Sequence, residues 1–195
     1  MIPSMSSPTR AKATYDDIVA LPPHVTGEIL AGELYTQARP AGLHQLVSGD
    51  LFFDLKGPFG RGVDGPGGWV FVIEPELHLG DDVIVPDLAA WRADRLPIEL
   101  REREFFEVTP DWVAEVASPS TRRHDRMRKT PAYARHGVPY LWLVEPEDGR
   151  IESYAREGEH WTWLATHAED DAEARIVPFD AVAIDLRGTW RSLRG

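Results

Sequence analysis

Residues 111–118, DWVAEVAS, place an acid inside a segment that has every other mark of a core strand. In extended backbone Trp112, Ala114 and Val116 point to one face and Val113, Glu115 and Ala117 to the other, so Glu115 shares its face with apolar neighbours. An ionised carboxylate in such surroundings is costly and usually pairs, protonates or binds metal. The fold has to bring Glu115 a partner.

The rest of the chain alternates strand and helix signals, which points to an α/β protein. Thr14 with Asp17 resembles a helix N-terminal cap, and Pro22-Pro23 stop the short helix it starts. GEILAGELY, residues 27–35, reads as two short strands between which Ala31-Gly32 can turn a tight hairpin or make a bend. Leu43, Leu46, Val47, Leu51 and Leu55 fall at helical spacing up to a stop at Gly57-Pro58, and the stretch from Gly60 to Gly68 is a glycine-rich loop. WVFVIEPELHL and VIVPDLAAW read as two strands joined at Gly80-Asp81-Asp82, with Asp87 near the end of the second. A helix from about Arg123 to His136 should stop at Gly137, followed by the buried-type strand YLWLVEP. IESYAREG and HWTWLATH read as a hairpin and VAIDL as a closing strand. The seven tryptophans fall mainly in these strands and are expected in the core.

At 195 residues, with 43% hydrophobic and 27% charged content, one domain over residues 13–195 is expected, behind a Ser-, Pro- and Met-containing flexible leader at residues 1–12. No membrane span or signal peptide is legible, so an intracellular, cytoplasmic location is expected. There is no cysteine, which excludes disulfides, thiolate zinc sites and a cysteine nucleophile and leaves oxygen and imidazole as metal ligands. The net charge of -11 repels polyanions at long range. Against it, residues 121–135 carry Arg122, Arg123, Arg126, Arg128, Lys129 and Arg135 with the single acid Asp125, a local basic surface.

Asp87 is the natural companion of Glu115: neighbouring strands could bring the two carboxylates together as a hard-oxygen site for Mg²⁺ or Mn²⁺, whose charge would relieve their repulsion. The alternative is structural, with Asp87 capping the turn after Pro86 and Glu115 paired to an arginine.

GEILAGELY, VIVPDLAAW, DWVAEVASPST and DRMRKTPAYARHGVPYLWLVEP together resemble, in order from Thr14 to Leu186, the Uma-two type of restriction endonuclease, a branch of the PD-(D/E)XK superfamily. The resemblance implies a restriction-endonuclease-like core, a central mixed sheet flanked by helices with an added C-terminal β-hairpin. It implies Asp87 and Glu115 as catalytic metal ligands, with Glu28 as a further acid and nucleic acid, above all DNA, as substrate. The superfamily lysine two residues after the Glu is replaced here by Ala117, and Lys129 on the following helix matches its displaced position. His44 matches a position that could contact phosphate. Arg122, Arg123 and Arg126 would hold the nucleic-acid backbone. A twofold homodimer is expected from the resemblance and from the apolar hairpin between Tyr154 and Leu164. Two rivals stay open: a binding module that has lost catalysis, which Ala117 and the charge favour, and a metal-independent two-carboxylate hydrolase.

Overall fold

A computed structural model describes residues 11–38 and 42–191, so the expected leader, apart from Ala11 and Lys12, lies outside the described residues. Helix α1 (Tyr15–Val19) is started by Thr14, whose N–H and hydroxyl both donate to Asp17 Oδ2. Strands β1 (Val25–Leu30) and β2 (Glu33–Ala38) form a hairpin. Its two-residue turn has positive φ at both Ala31 and Gly32, 53° and 79°, the mirror-image turn whose twist suits a hairpin. Glycine carries that conformation without strain.

Helix α2 (Gly42–Leu55) does not stop at Gly57-Pro58. It runs on as a π-turn, Lys56–Gly60, closed by Arg61 N–H donating to the Lys56 carbonyl at 2.9 Å. Pro58 has no N–H to give an α-helical ladder, and the wider turn carries the helix past it.

The two long strands expected over residues 69–91 are four. β3 (Trp69–Ile73) and β6 (Leu88–Arg92) pair with each other in one sheet, while β4 (Leu77–Leu79) and β5 (Asp82–Ile84) pair in another. The breaks fall at Pro75 and Pro86, which lack the N–H a continuous ladder requires, so the chain changes sheets there. Asp87 consequently stands at a crossing, directly before β6, rather than near the end of one long strand.

After the short helix α3 (Ile98–Arg101), β7 (Trp112–Val116) is followed by α4 (Arg122–His124), a π-turn (Asp125–Lys129) and α5 (Thr130–Arg135), which form one helical run up to Gly137 at φ 83°. Pro131 is accommodated by that π-turn, and the Thr130 hydroxyl donates to the Asp125 carbonyl at 2.9 Å. β8 (Tyr140–Glu145) returns parallel to β7, and β9 (Arg150–Glu157) and β10 (His160–Ala168) complete the sheet as a hairpin. The expected closing strand is reduced to a single bridge, Ala174 with Ile184, before α6 (Leu186–Arg191).

Two sheets result: β2-β1-β5-β4, and the mixed six-stranded β10-β9-β8-β7-β6-β3. One face of the larger sheet packs Trp112, Val116 and Trp142 against Val47, Leu51 and Leu55 of α2 and against Phe179 and Trp190. The other packs Val113, Leu141 and Leu143 against Tyr133 of α5 and against Leu30, Leu77 and Ile84 of the smaller sheet. Asp82 ties this second layer together. It accepts hydrogen bonds from the Ala31 N–H at 2.7 Å, Arg135 at 3.2 Å and His136 at 2.8 Å. Burial would raise its carboxyl, but the bonds led by that from His136 outweigh burial and hold it below the usual range. No helix among the described residues is long and apolar enough to cross a membrane.

Candidate functional site

β7 delivers Glu115 as the alternation of its side chains requires, onto the face covered by the helical run and the smaller sheet, where it is 1% exposed. Its partner is Lys129, on the helix that follows. The ammonium donates to Glu115 Oε2 at 2.8 Å and to the Val85 carbonyl at 2.8 Å, and lies 3.3 Å from Glu28 Oε1 and 4.0 Å from Asp125 Oδ1. Glu115 Oε1 accepts a short hydrogen bond from the Tyr133 hydroxyl. Asp125, Lys129 and Tyr133 are spaced four apart, so one helix face supplies all three.

Asp87 reaches the same place from the crossing before β6, the strand that pairs with β7. Its Oδ2 accepts the N–H of Val116, the residue after Glu115, at 2.6 Å and lies 3.0 Å from His44 Nε2 on α2. Glu28 comes from β1. Its Oε1 takes the Val85 N–H at 2.9 Å, and its Oε2 takes Gln37 Nε2 at 3.1 Å and pairs with His124 Nε2 at 3.0 Å. Glu28, Asp87, Glu115, Asp125, Lys129, His44 and His124 all line one cavity of about 700 Å³.

The electrostatics follow from four acids around one lysine. Burial pushes the Glu115 carboxyl well above its usual value, with Asp87 and Asp125 adding to the rise and Lys129 opposing it. Asp125 is pushed up to about 6, again chiefly by burial. Burial alone would lower Lys129, but Glu115, Glu28, Asp125 and Asp87 together hold it well above the ordinary lysine value. Lys129 is therefore a permanent cation, unsuited to act as a base. Glu28 is lowered: burial raises it, but Lys129, His124 and the Val85 N–H outweigh that penalty. For His44 the bond to Asp87 outweighs burial and raises its value.

These residues fit a divalent metal in kind. The donors are hard oxygens and the four acids outnumber the single lysine, so a cation would relieve repulsion that the lysine alone meets. Among the described residues no three His, Asp or Glu side chains are grouped closely enough to hold a metal by themselves. Mg²⁺ keeps several waters and binds through one or two carboxylates plus substrate oxygens, so a two-acid site of Asp87 and Glu115 remains consistent with it.

The basic run is placed differently from the sequence expectation. Arg122 Nε lies 2.8 Å from Glu145 Oε2, and Arg126 Nη2 lies 2.8 Å from both Glu145 Oε1 and Glu152 Oε2. Both guanidiniums are engaged by acids at the β8–β9 end, while Arg123 and Arg128 are exposed. Tyr133 and His124 were missed from sequence. The spacing of four from Lys129 could have found Tyr133, whereas nothing local marks His124, whose role depends on β1 lying opposite.

No curated protein matches the chain. A solved structure, described as a "putative nuclease belonging to DUF820" from Anabaena variabilis ATCC 29413, is similar at 20% identity and a TM-score of 0.72, over 93% of this chain and 99% of that one. That likeness gives the fold, the mixed α/β arrangement with a central sheet flanked by helices. The family model that matches is Uma-two, described as "Putative restriction endonuclease", over residues 14–186; by the extent of that match, the chain belongs to this family.

Proposed function

We propose that the chain is a metal-dependent endonuclease that hydrolyses phosphodiester bonds in DNA, with Asp87 and Glu115 holding Mg²⁺ or Mn²⁺. One observation carries the reading: a buried lysine cation sits against Glu115 in a cavity that Asp87 also lines. A bound divalent ion would supply Lewis-acid polarisation of the phosphate and a more acidic water. Lys129, held as an ammonium by its acids, contributes fixed positive charge toward the negative charge that grows on the phosphoryl oxygens. Tyr133 holds Glu115, and His44 with the Val116 N–H holds Asp87, so both carboxylates are positioned before substrate arrives. Glu28 positions Lys129 and His124 and remains a candidate further ligand. Hydrolysis joins the water oxygen to phosphorus, breaks the bond to the leaving sugar oxygen and returns a proton to that oxygen.

Calorimetric titration of Mn²⁺ is expected to show binding to the wild type and none to Glu115→Gln, with parallel loss of cleavage. Equal binding by the two proteins would refute the site. The raised Glu115 carboxyl favours a second reading, a metal-free hydrolase with Glu115 as the acid. Cleavage that persists in excess chelator would support that reading.

We extend the proposal to a twofold homodimer through the outer edge of the larger sheet. β10 is the edge strand, and Trp163 and Leu164 on it are 59% and 39% exposed, where the sequence had placed the tryptophans in the core. Sedimentation at micromolar concentration is expected to give twice the chain mass, shifting to one chain mass on Trp163→Lys. A monomeric wild type would argue against it.

A further inference from the structure

The cavity has walls as well as a floor. Its floor holds Glu115 and Lys129, 1% and 3% exposed. One wall is β2, with Tyr35, Thr36 and Gln37, and the facing wall is the segment from Ser118 through Thr121 to His124. The rings of Tyr35 and His124 pack against each other with centroids 4.8 Å apart, so the two walls meet there, and the Arg128 guanidinium lies 5.7 Å from the centre of the Tyr35 ring. Among the described residues lining the cavity Lys129 is the only lysine or arginine, against five acids, Glu28, Glu74, Asp87, Glu115 and Asp125. The arginine pair Arg122 and Arg126 is tied to Glu145 and Glu152 outside it.

Resting on the nuclease reading above, we infer that this site takes single-stranded DNA, or an unpaired segment within a duplex, and rejects the intact double helix. Duplex binding draws its affinity from cations matched to phosphates along a stiff rod. Among the described residues this cavity offers no such row, and its acids repel any phosphate not shielded by metal. The carboxylates lie at the bottom of a recess of about 700 Å³, within the range of about 300–1,000 Å³ that encloses small ligands. A duplex backbone cannot bend one phosphate into such a recess while its neighbours stay base-paired outside. An unpaired strand can, placing one sugar against the hydroxyls of Thr36, Ser118 and Thr121 while the base meets the cluster of Tyr35, His124 and Arg128. Stacking of this kind tolerates every base, so cleavage should show little sequence preference.

Three substrates of one sequence decide it, assayed with Mn²⁺ and the full chain: a single strand, its perfect duplex, and that duplex with a short unpaired loop. The expected result is a kcat/KM at least about tenfold higher on the single strand than on the duplex, with cuts in the third substrate confined to the loop. Tyr35→Ala is expected to raise KM on the single strand about tenfold, the loss of one base stack, with kcat within twofold, and Tyr35→Phe to restore it. Equal or faster cleavage of the perfect duplex overturns the inference and leaves the nuclease reading standing. An unchanged KM in Tyr35→Ala, or efficient hydrolysis of bis(p-nitrophenyl) phosphate with neither polymer cut, also overturns it. If the wild type cleaves none of these above the level of Glu115→Gln, the nuclease reading fails and this one with it.

Discussion

Replacing Lys129 with methionine is expected to make the folded state depend on divalent metal. Methionine keeps the length and apolar stem of the side chain but removes the charge that faces Glu28, Glu115 and Asp125 at 3.3, 2.8 and 4.0 Å. Taking one partner from a buried ion pair destabilises by about 3–5 kcal/mol, because the other is left uncompensated. For a domain of this size that lowers Tm by roughly 6–20 °C. Added Mg²⁺ or Mn²⁺ should recover much of the loss in the variant and give the wild type less. The pH dependence has a definite sign. A carboxyl whose folded value is raised is held better in its protonated form, and with Lys129 gone Asp125 loses the charge that lowers it, so the repulsion fades at low pH and grows as pH rises above the wild-type Asp125 value of about 6. Cleavage should fall by about 10²–10³, the usual loss for one fixed electrostatic donor. Thermal unfolding with metal and with chelator, at pH 5 and pH 8, reads all of this. A variant as stable as the wild type and indifferent to metal would remove Lys129 from the centre of the site.

The second large effect is expected at Glu145, a residue outside the cavity. It is 1% exposed at the end of β8 and holds Arg122 and Arg126, fastening the start of the helical run to the sheet. Glu145→Gln removes the buried acid from two part-exposed guanidiniums, leaving Arg122 with Glu147 and Arg126 with Glu152, and the weakened charge-assisted bonds should destabilise by about 1.5–3 kcal/mol in urea denaturation. It should also free positive charge for phosphates. Binding to a single-stranded oligonucleotide with Ca²⁺ present is therefore expected to tighten, and the slope of log affinity against log salt to steepen by about 0.7 for each further phosphate neutralised. The Arg122→Ala, Arg123→Ala double variant in the wild-type background should change the slope by no more than about one such step, that of Arg123. Loss of all affinity in the double variant would return Arg122 to the role its sequence position suggested.

The ion pairs of Arg122 and Arg126 show what a sequence leaves out. A basic run that begins soon after Glu115 reads as a phosphate surface because its partners, Glu145 and Glu152, lie on strands whose neighbours are known only once the sheet is assembled. Local signals did better. Ala31-Gly32 specified a hairpin because few residues tolerate its turn, the alternation in DWVAEVAS put Glu115 on an interior face, and Gly137 stopped the helix as a left-handed cap does. Pro75 and Pro86 were visible, but their effect was not. A proline that removes one ladder bond can end a strand or send it to a second sheet, and here the smaller sheet waiting across the core decides between them. Asp87 owes its place to that choice. VAIDL met no strand long enough to extend its single bridge, so its apolar residues serve as packing for α2 and β7 instead.

The π-turn from Asp125 to Lys129 makes the site sensitive to chain length as well as to chemistry. One extra residue is held within that turn, and Pro131 follows it at once. Removing one of the three residues between Asp125 and Lys129 would let an ordinary α-helical ladder close while the helix beyond kept its bearing, with Asp125 and Lys129 then three apart and still neighbours on one face. An added residue has no such outlet, because the wide turn is already taken: it would rotate Lys129 and Tyr133 together by about 100° and take both partners from Glu115 although no site residue had been changed. The count from Asp125 to Tyr133 therefore has slack of one residue toward loss and none toward gain, whereas the irregular stretch between β10 and α6 is under no such numerical constraint.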